Sequence, residues 1–356
     1  RCAEMERDGG VMRFSILIPV YNVELYLPQC LQSVGAQSFT DFEVVIINDG
    51  STDASLSICE TFAAGAEVDV RVVSQSNKGL LMARRAGIDI ANGEYLICLD
   101  SDDALRSDAL SLIDTAICRT NADVLMFQAS RSEGYDVPYF DWSKMNAKTN
   151  SAGVLPSKEA RRLIATTHNV HSMWGKAIRR TCVGLGDDYS AYEGLQYGED
   201  LLQTTRVFDS AQVFASIPDI LYFYRDNQSS ISHEIDRRRL DDIVAVRSQL
   251  LSYARRWDEG LCSAVMAGNC VEILAYCVMC VNRLGRQEAC QEICEAANMP
   301  GFKESCYGAD FSSTPGWKRL GIKLLSGNQT GLFMLYIRVL FGVLRISKSK
   351  AGMRYL

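Results

Sequence analysis

A chain of 356 residues with 47% hydrophobic and 22% charged side chains can close a full core and divide into two or three units, which excludes a disordered or fibrous protein. The net charge of -6 hides an asymmetry. Trp317 to Leu356 holds eight Lys and Arg (Lys318, Arg319, Lys323, Arg338, Arg345, Lys348, Lys350, Arg354) and no Asp or Glu, which leaves 29 basic against 43 acidic residues elsewhere. That balance argues against nucleic acid as a partner and points to an anionic surface for the basic stretch alone. The 13 Cys are scattered, odd in number and mostly set in apolar runs, as reduced thiols of a cytoplasmic protein are. Cys277, Cys280, Cys290 and Cys294 come nearest to a zinc spacing, but the first pair belongs to an apolar helical pattern and no Gly-rich turn follows.

Arg1 to Val11 is polar, shows no signal sequence and reads as an extension outside the fold. Phe14 to Pro19 is a β-prone apolar run broken into a loop at Pro19, Tyr21 and Asn22. Leu27, Leu31 and Val34 have helical spacing within Leu25 to Gln37, and Phe42 to Ile47 is a second strand. It ends in Asn-Asp-Gly-Ser-Thr-Asp (48 to 53), where Ser51 or Thr52 is expected to cap a helix from about Ala54 to Ala63. Val70 to Ser74 is a third strand, and Gly79 opens a helix over Leu80 to Ala91. Tyr95 to Leu99 is an uncharged run suited to a strand covered on both faces. It stops at Asp100, Asp102 and Asp103, and a helix is expected from Ala104 to Arg119.

Carboxylates this crowded repel one another unless a hard cation neutralises them, and Mg2+ or Mn2+ shared with a diphosphate is the usual solution. A solvated acidic turn capping the next helix is the alternative for these three residues. Alternating strands and helices imply a parallel sheet with helices on both faces, whose ligands bind beyond the carboxyl ends of the strands. No Gly-x-Gly-x-x-Gly follows the first strand and no Gly-Lys-Ser/Thr loop occurs, so dinucleotide oxidoreductases and P-loop enzymes lack sequence support.

Farther along, Asp123 to Ser130 is a strand, and Arg131 to Val154 is irregular, with Tyr135, Tyr139, Phe140 and Trp142 suited to an acceptor-facing loop. Pro156 to Thr167 reads as a helix. Tyr-Gly-Glu-Asp (197 to 200) precedes another helix, where Glu199 and Asp200 would also suit a first turn through the helix dipole. Ile217 to Tyr224 is a strand, and Leu240 to Asn298 is helical. Leu261 to Val281 is apolar, but Asn269 and Glu272 at its centre favour a buried helix over a membrane span. Leu332 to Ile346, with Arg338 and Arg345, is too short to cross a bilayer and suits a helix in the membrane interface; docking on the protein's own core is the alternative.

Taken together, Ser-Ile-Leu-Ile-Pro-Val-Tyr-Asn (15 to 22), Ile-Asn-Asp-Gly-Ser-Thr-Asp (47 to 53), Asn77-Lys78-Gly79 with Ala83-Arg84, Ala91-Asn92-Gly93-Glu94-Tyr95 before Leu-Asp-Ser-Asp-Asp, Met173-Trp174-Gly175-Lys176, and the Glu199-Asp200 pair resemble the family 2 glycosyltransferases of GT-A fold. The resemblance implies a doubly wound, mostly parallel α/β sheet with a C-terminal helical appendix. It implies a nucleotide-sugar donor, UDP-sugar favoured, held by Pro19, Tyr21, Asp49, Ser51, Arg84, Asp100 and Arg225. It further implies Mg2+ or Mn2+ at Asp102 and Asp100, with His233, in the segment that follows Tyr224-Arg225 and closes over the donor, as a further metal ligand. For Asp49 an Asx turn, for Tyr21 core packing and for His233 a bland surface role are the alternatives. Transfer with inversion needs a base for the acceptor hydroxyl, expected to be Asp200 with Glu199 beside it.

The expected layout is an extension over 1–11, a catalytic domain over 12–225, a helical domain over 226–310 and a basic tail over 311–356. The expected acceptor is a glycan or lipid-linked saccharide in surface polysaccharide synthesis, at the inner face of the cell membrane. A nucleotidyltransferase of similar fold and a membrane-bound scaffold without turnover are the rivals.

Overall fold

The computed structural model describes residues 12–140, 149, 153–226 and 238–348, with side chains as far as residue 342. Trp142 and His233 lie outside the described residues, as do 1–11. The described chain falls into two compact units, 12–226 and 238–348.

The first unit begins β1 (Phe14–Val20), α1 (Leu27–Gly35), β2 (Phe42–Asn48), α2 (Ser55–Gly65), β3 (Asp69–Ser74), α3 (Leu80–Ile90) and β4 (Tyr95–Cys98). β1 pairs in parallel with β2 and β4, and β2 with β3. All seven residues of β1 are buried because both faces are covered. Phe14, Ile16, Ile18 and Val20 share a core with α1, while Leu17 lies within van der Waals reach of Gly87 on α3. Pro19 is tolerated in this central strand because the β4 pairing has ended at Leu17, so its missing N–H leaves no partner there.

The chain continues with β5 (Ala104–Leu105), α4 (Ala109–Thr120), β6 (Val124–Ser130), β7 (Val154–Leu155), α5 (Ser157–Thr166), β8 (Lys176–Arg179), α6 (Glu199–Ser210) and β9 (Phe214–Phe223). The sheet runs β3-β2-β1-β4-β8-β6-β9-β5, with β7 on β9. It is a doubly wound α/β sheet, parallel through its first four strands. The antiparallel β8 is inserted between β4 and β6.

Two local expectations change. The helix after the acid loop starts at Ala109, because Ala104 and Leu105 pair with Phe223 and Tyr222 of β9. Ser51 and Thr52 do not cap α2. Its opening N–H groups are met by Glu24, which accepts from Ala54 at 2.8 Å, and by Asp53, which accepts from Ser55 at 3.0 Å.

The second unit is helical: α7 (Arg238–Trp257), α8 (Cys262–Arg283), α9 (Arg286–Asn298), α10 (Pro300–Gly308), α11 (Gly316–Ser326) and α12 (Thr330–Lys348). By length and composition α8 is apolar enough to cross a membrane, but half of its most apolar window is buried inside this unit. Cys270, Ile273, Leu274, Cys277 and Cys280 of α8 form the unit's core with Ile293, Phe302, Ile322, Leu325, Phe333 and Ile337. Residues 316–342 therefore do not stand apart as a tail beginning near 311. One face of α11 and one of α12 are built into the helical core.

Candidate active site

The loops after β1, β2 and β4 leave the same edge of the sheet. Pro19 is buried at the end of β1, and in the loop that follows Tyr21 is 50% exposed and Asn22 is left-handed with φ 46°. The Asn22 N–H donates to Ser51 Oγ at 3.1 Å, and its Oδ1 accepts from the Thr52 N–H at 2.8 Å, which ties the two loops together. Asp49 is buried and accepts from the N–H groups of Lys78 at 3.0 Å and Gly79 at 2.9 Å, and from Gln75 Nε2 at 2.7 Å. These three donors fill most of a carboxylate's acceptor capacity, so Asp49 first of all orders the turn into α3.

The acid loop after β4 is held from below and from the side. Asp103 turns inward, where Oδ2 accepts from the Tyr222 hydroxyl at 2.7 Å and Oδ1 from the Arg225 N–H at 2.8 Å. The Tyr222 oxygen also accepts from the Asp100 N–H at 3.2 Å. Burial, with Asp100 and Asp102 nearby, pushes the Asp103 carboxyl well above the usual range. Arg225, expected at the donor, clamps the loop: Nε donates to the Asp102 carbonyl at 2.7 Å, another guanidinium nitrogen bonds Gln29, and the group lies 5.0 Å from the Tyr26 and Phe223 ring centroids. Asp100 and Asp102 are left partly exposed on the loop.

Across from this loop, α6 begins after Gly198, whose φ of 84° turns the chain so that Glu199 and Asp200 form the first helical turn. Arg84 of α3 is fully buried and joins the two sides. It donates through Nη2 to Asp100 Oδ1 at 2.7 Å and through Nη1 to Asp200 Oδ1. The Asp100 and Asp200 side chains are 23% and 26% exposed, so each keeps an open side above the guanidinium.

Lys176 of β8 is buried, its Nζ donates to the Ser172 carbonyl, and burial pushes its amine down to about 8 against the pull of Asp200. Burial and then Asp200 push Glu199 up to about 8, against Arg84. Burial also raises Asp200 above the ordinary carboxylate range, although Arg84 opposes it. At neutral pH this arrangement favours one shared negative charge over two on the Glu199-Asp200 pair. An ionised Asp200 of raised basicity is suited to taking a proton from a hydroxyl.

Residues 15–181 match Glycosyl transferase family 2. These residues form a domain of this family. Glycosyltransferase GlyA of Streptococcus pneumoniae serotype 4 is 38% identical over 251 residues, which is 67% of this chain and 34% of GlyA. The chain thus spans about a third of that relative's length. The poly(ribitol-phosphate) beta-N-acetylglucosaminyltransferase TarS of Staphylococcus aureus is 26% identical over 216 residues, 60% of this chain and 35% of TarS. The crystal structure of TarS 1–349 with UDP-GlcNAc superposes with a TM-score of 0.66 at 17% identity, covering 97% of this chain and 93% of that one. A mannosyltransferase from Pyrobaculum calidifontis, PcManGT, in complex with GDP-Man and Mn2+, gives a TM-score of 0.51 at 15% identity over 93% and 87% of the two chains. These likenesses agree on the GT-A fold.

The structure adds Tyr222, which no motif names, and gives the motif residues Asp103 and Lys176 their places. Tyr222 and Asp103 set the acid loop, and Lys176 lies near enough to Asp200 to feel its charge. Tyr222 left no trace in the sequence, since an aromatic in a strand is ordinary core. Trp174 stacks on Tyr222 at 5.1 Å and on Tyr224 at 5.3 Å, and Tyr139, from the irregular segment, lies 5.1 Å from Tyr224.

Proposed function

We propose that this chain is a metal-dependent, inverting hexosyltransferase that moves a sugar from a UDP-sugar to a hydroxyl of a glycan or lipid-linked saccharide. The observation that carries the reading is the Arg84 bridge, which sets a carboxylate on α6 opposite the carboxylate loop of β4 across one open cleft. The acceptor oxygen attacks the anomeric carbon, the bond from that carbon to the diphosphate oxygen breaks, and the hydroxyl proton passes to Asp200. Glu199, protonated below about 8, is a hydrogen-bond donor beside the base and does not compete for its charge.

Tyr21 and Asp49, with Ser51 near them, form the edge proposed for the nucleotide base, and Asp100 lies toward the ribose and metal. The residues fit a divalent cation shared with substrate. Among the described residues no group of three His, Cys, Asp or Glu could enclose an ion by itself. Asp102, with the second oxygen of Asp100, offers hard oxygen ligands, and a donor diphosphate and water would complete the shell. When bound, Mg2+ or Mn2+ supplies positive charge to the leaving diphosphate. UDP-GlcNAc in TarS and Mn2+ in PcManGT support this choice of donor class and metal. The acceptor context and a place on the inner face of a membrane rest on the family and on the basic stretch 317–356.

The test is product analysis with a panel of nucleotide sugars and Mn2+. Release of nucleoside diphosphate with transfer or hydrolysis of the sugar is expected. Release of pyrophosphate would show a nucleotidyltransferase, and no turnover with any donor would favour a scaffold.

A further inference from the structure

A helix on the surface of a soluble unit usually has one apolar and one polar face. α12 departs from this. Its inner face, Phe333, Met334 and Ile337, is buried in the helical core. Leu332, Leu335 and Val339, at helical spacing on the other side, are 57%, 59% and 56% exposed. From Thr330 to Gly342 the only charged residue is Arg338, which is exposed beside this stripe. On α11, which packs on α12, Leu320 is 45% exposed with exposed Arg319 and Lys323 near it in sequence. Among the described residues, four of the eleven exposed large apolar side chains lie on these two helices.

We propose that the outer face of α12, with Leu320 of α11, is the surface by which the second unit lies on an anionic lipid bilayer. The helix core-docked on one side inserts Leu332, Leu335 and Val339 between headgroups on the other, while Arg319, Lys323 and Arg338 meet lipid phosphates at the rim. This rests on the membrane reading given above and specifies the face. Docking on the core and contact with a bilayer, posed as alternatives by the sequence, are thereby assigned to opposite sides of one helix.

The charge pattern selects lipid over a second copy of the chain. A two-fold interface centred on this face would set Arg338 and its basic neighbours against their own counterparts, with no Asp or Glu from Trp317 onward to offset them. An anionic leaflet offers the complementary charge, and each cation near it contributes about a fivefold gain in partitioning.

The experiment is flotation of the full chain with vesicles of phosphatidylcholine alone or mixed with phosphatidylglycerol. It compares the parent with Leu332→Ser/Leu335→Ser/Val339→Ser and with Arg319→Gln/Lys323→Gln/Arg338→Gln, each checked for an unchanged thermal midpoint. The parent is expected to float with the anionic vesicles and much less with neutral ones. The apolar variant should lose about tenfold or more in partitioning, and the charge variant should lose its preference for anionic vesicles. Absence of the parent from anionic vesicles would overturn the membrane reading and this assignment together. Binding that persists equally in both variants would overturn the assignment alone and move the contact elsewhere. A parent dimer in solution that the apolar variant makes monomeric would assign the face to a second copy.

Discussion

Replacing Glu199 by Gln tests the electrostatics of the cleft through stability, without needing a substrate. Burial and the neighbouring Asp200 raise this carboxyl from 4.5 to about 8. A raised folded-state value means that the unfolded chain releases its proton first, so stability is full below about 4.5 and is lost as the pH rises to about 8. At about 1.36 kcal/mol per pH unit the full gap would cost roughly 5 kcal/mol. Glu199 is only partly covered and shares its proton equilibrium with Asp200, so about half of that is the expected loss. Gln keeps the shape of the neutral acid and never ionises. Glu199→Gln should therefore match the parent near pH 4.5 and gain roughly 5 to 10 °C by pH 9, at about 2–4 °C per kcal/mol for a unit of this size. Calorimetry from pH 4.5 to 9 measures it, with the first unit's transition identified by its shift on adding UDP. A difference that stays constant with pH, or a loss of stability at pH 9, would refute the argument that Glu199 is held protonated.

Asp102→Ala should abolish Mn2+-dependent binding of UDP in calorimetric titration while leaving the unfolding midpoint unchanged; metal-dependent affinity retained in the variant would remove Asp102 from the metal site. Tyr222→Phe takes from buried Asp103 its hydroxyl donor and from the Asp100 N–H its acceptor. A loss of about 1–3 kcal/mol in denaturant unfolding, with a raised KM for the donor, is expected, and unchanged values would show that the acid loop needs no such support. Gly93→Ala would set a Cβ 2.4 Å from the Ser15 nitrogen and 2.6 Å from the Phe14 carbonyl carbon, both backbone atoms of the central strand. Destabilisation of about 3 kcal/mol is expected, and a variant as stable as the parent would mean that β1 and the Gly93 turn can separate cheaply.

Much of the first unit was legible because its signals are local. Apolar runs of four to seven residues set β1, β2, β4 and β6, and the loop motifs after β1, β2 and β4 do leave one edge of the sheet. What escaped the sequence depends on contacts between distant residues. Ala104 and Leu105 read as the start of a helix until β9, more than a hundred residues later, pairs with them. Arg84 carries no trace of its two carboxylate partners, one 16 and the other 116 residues away. Arg225, which the resemblance placed at the donor, uses its Nε–H, its N–H and its stacking on Tyr26 to hold the acid loop, through residues far from it in the chain. The basic C-terminal stretch showed its amphipathic composition but not that α12 is apolar on two sides, since docking on α8 consumes one of them.

Asp200 is proposed here as the base of a displacement at a sugar carbon. Asp200→Asn keeps an oxygen for Arg84 and the shape of the cleft but removes the proton acceptor. With kcat for transfer and the Kd of the donor measured on the same preparation, the account predicts that kcat falls by about 100-fold or more while the Kd stays essentially unchanged. A variant that turns over at the parent rate, or that loses donor affinity in step with rate, would contradict it.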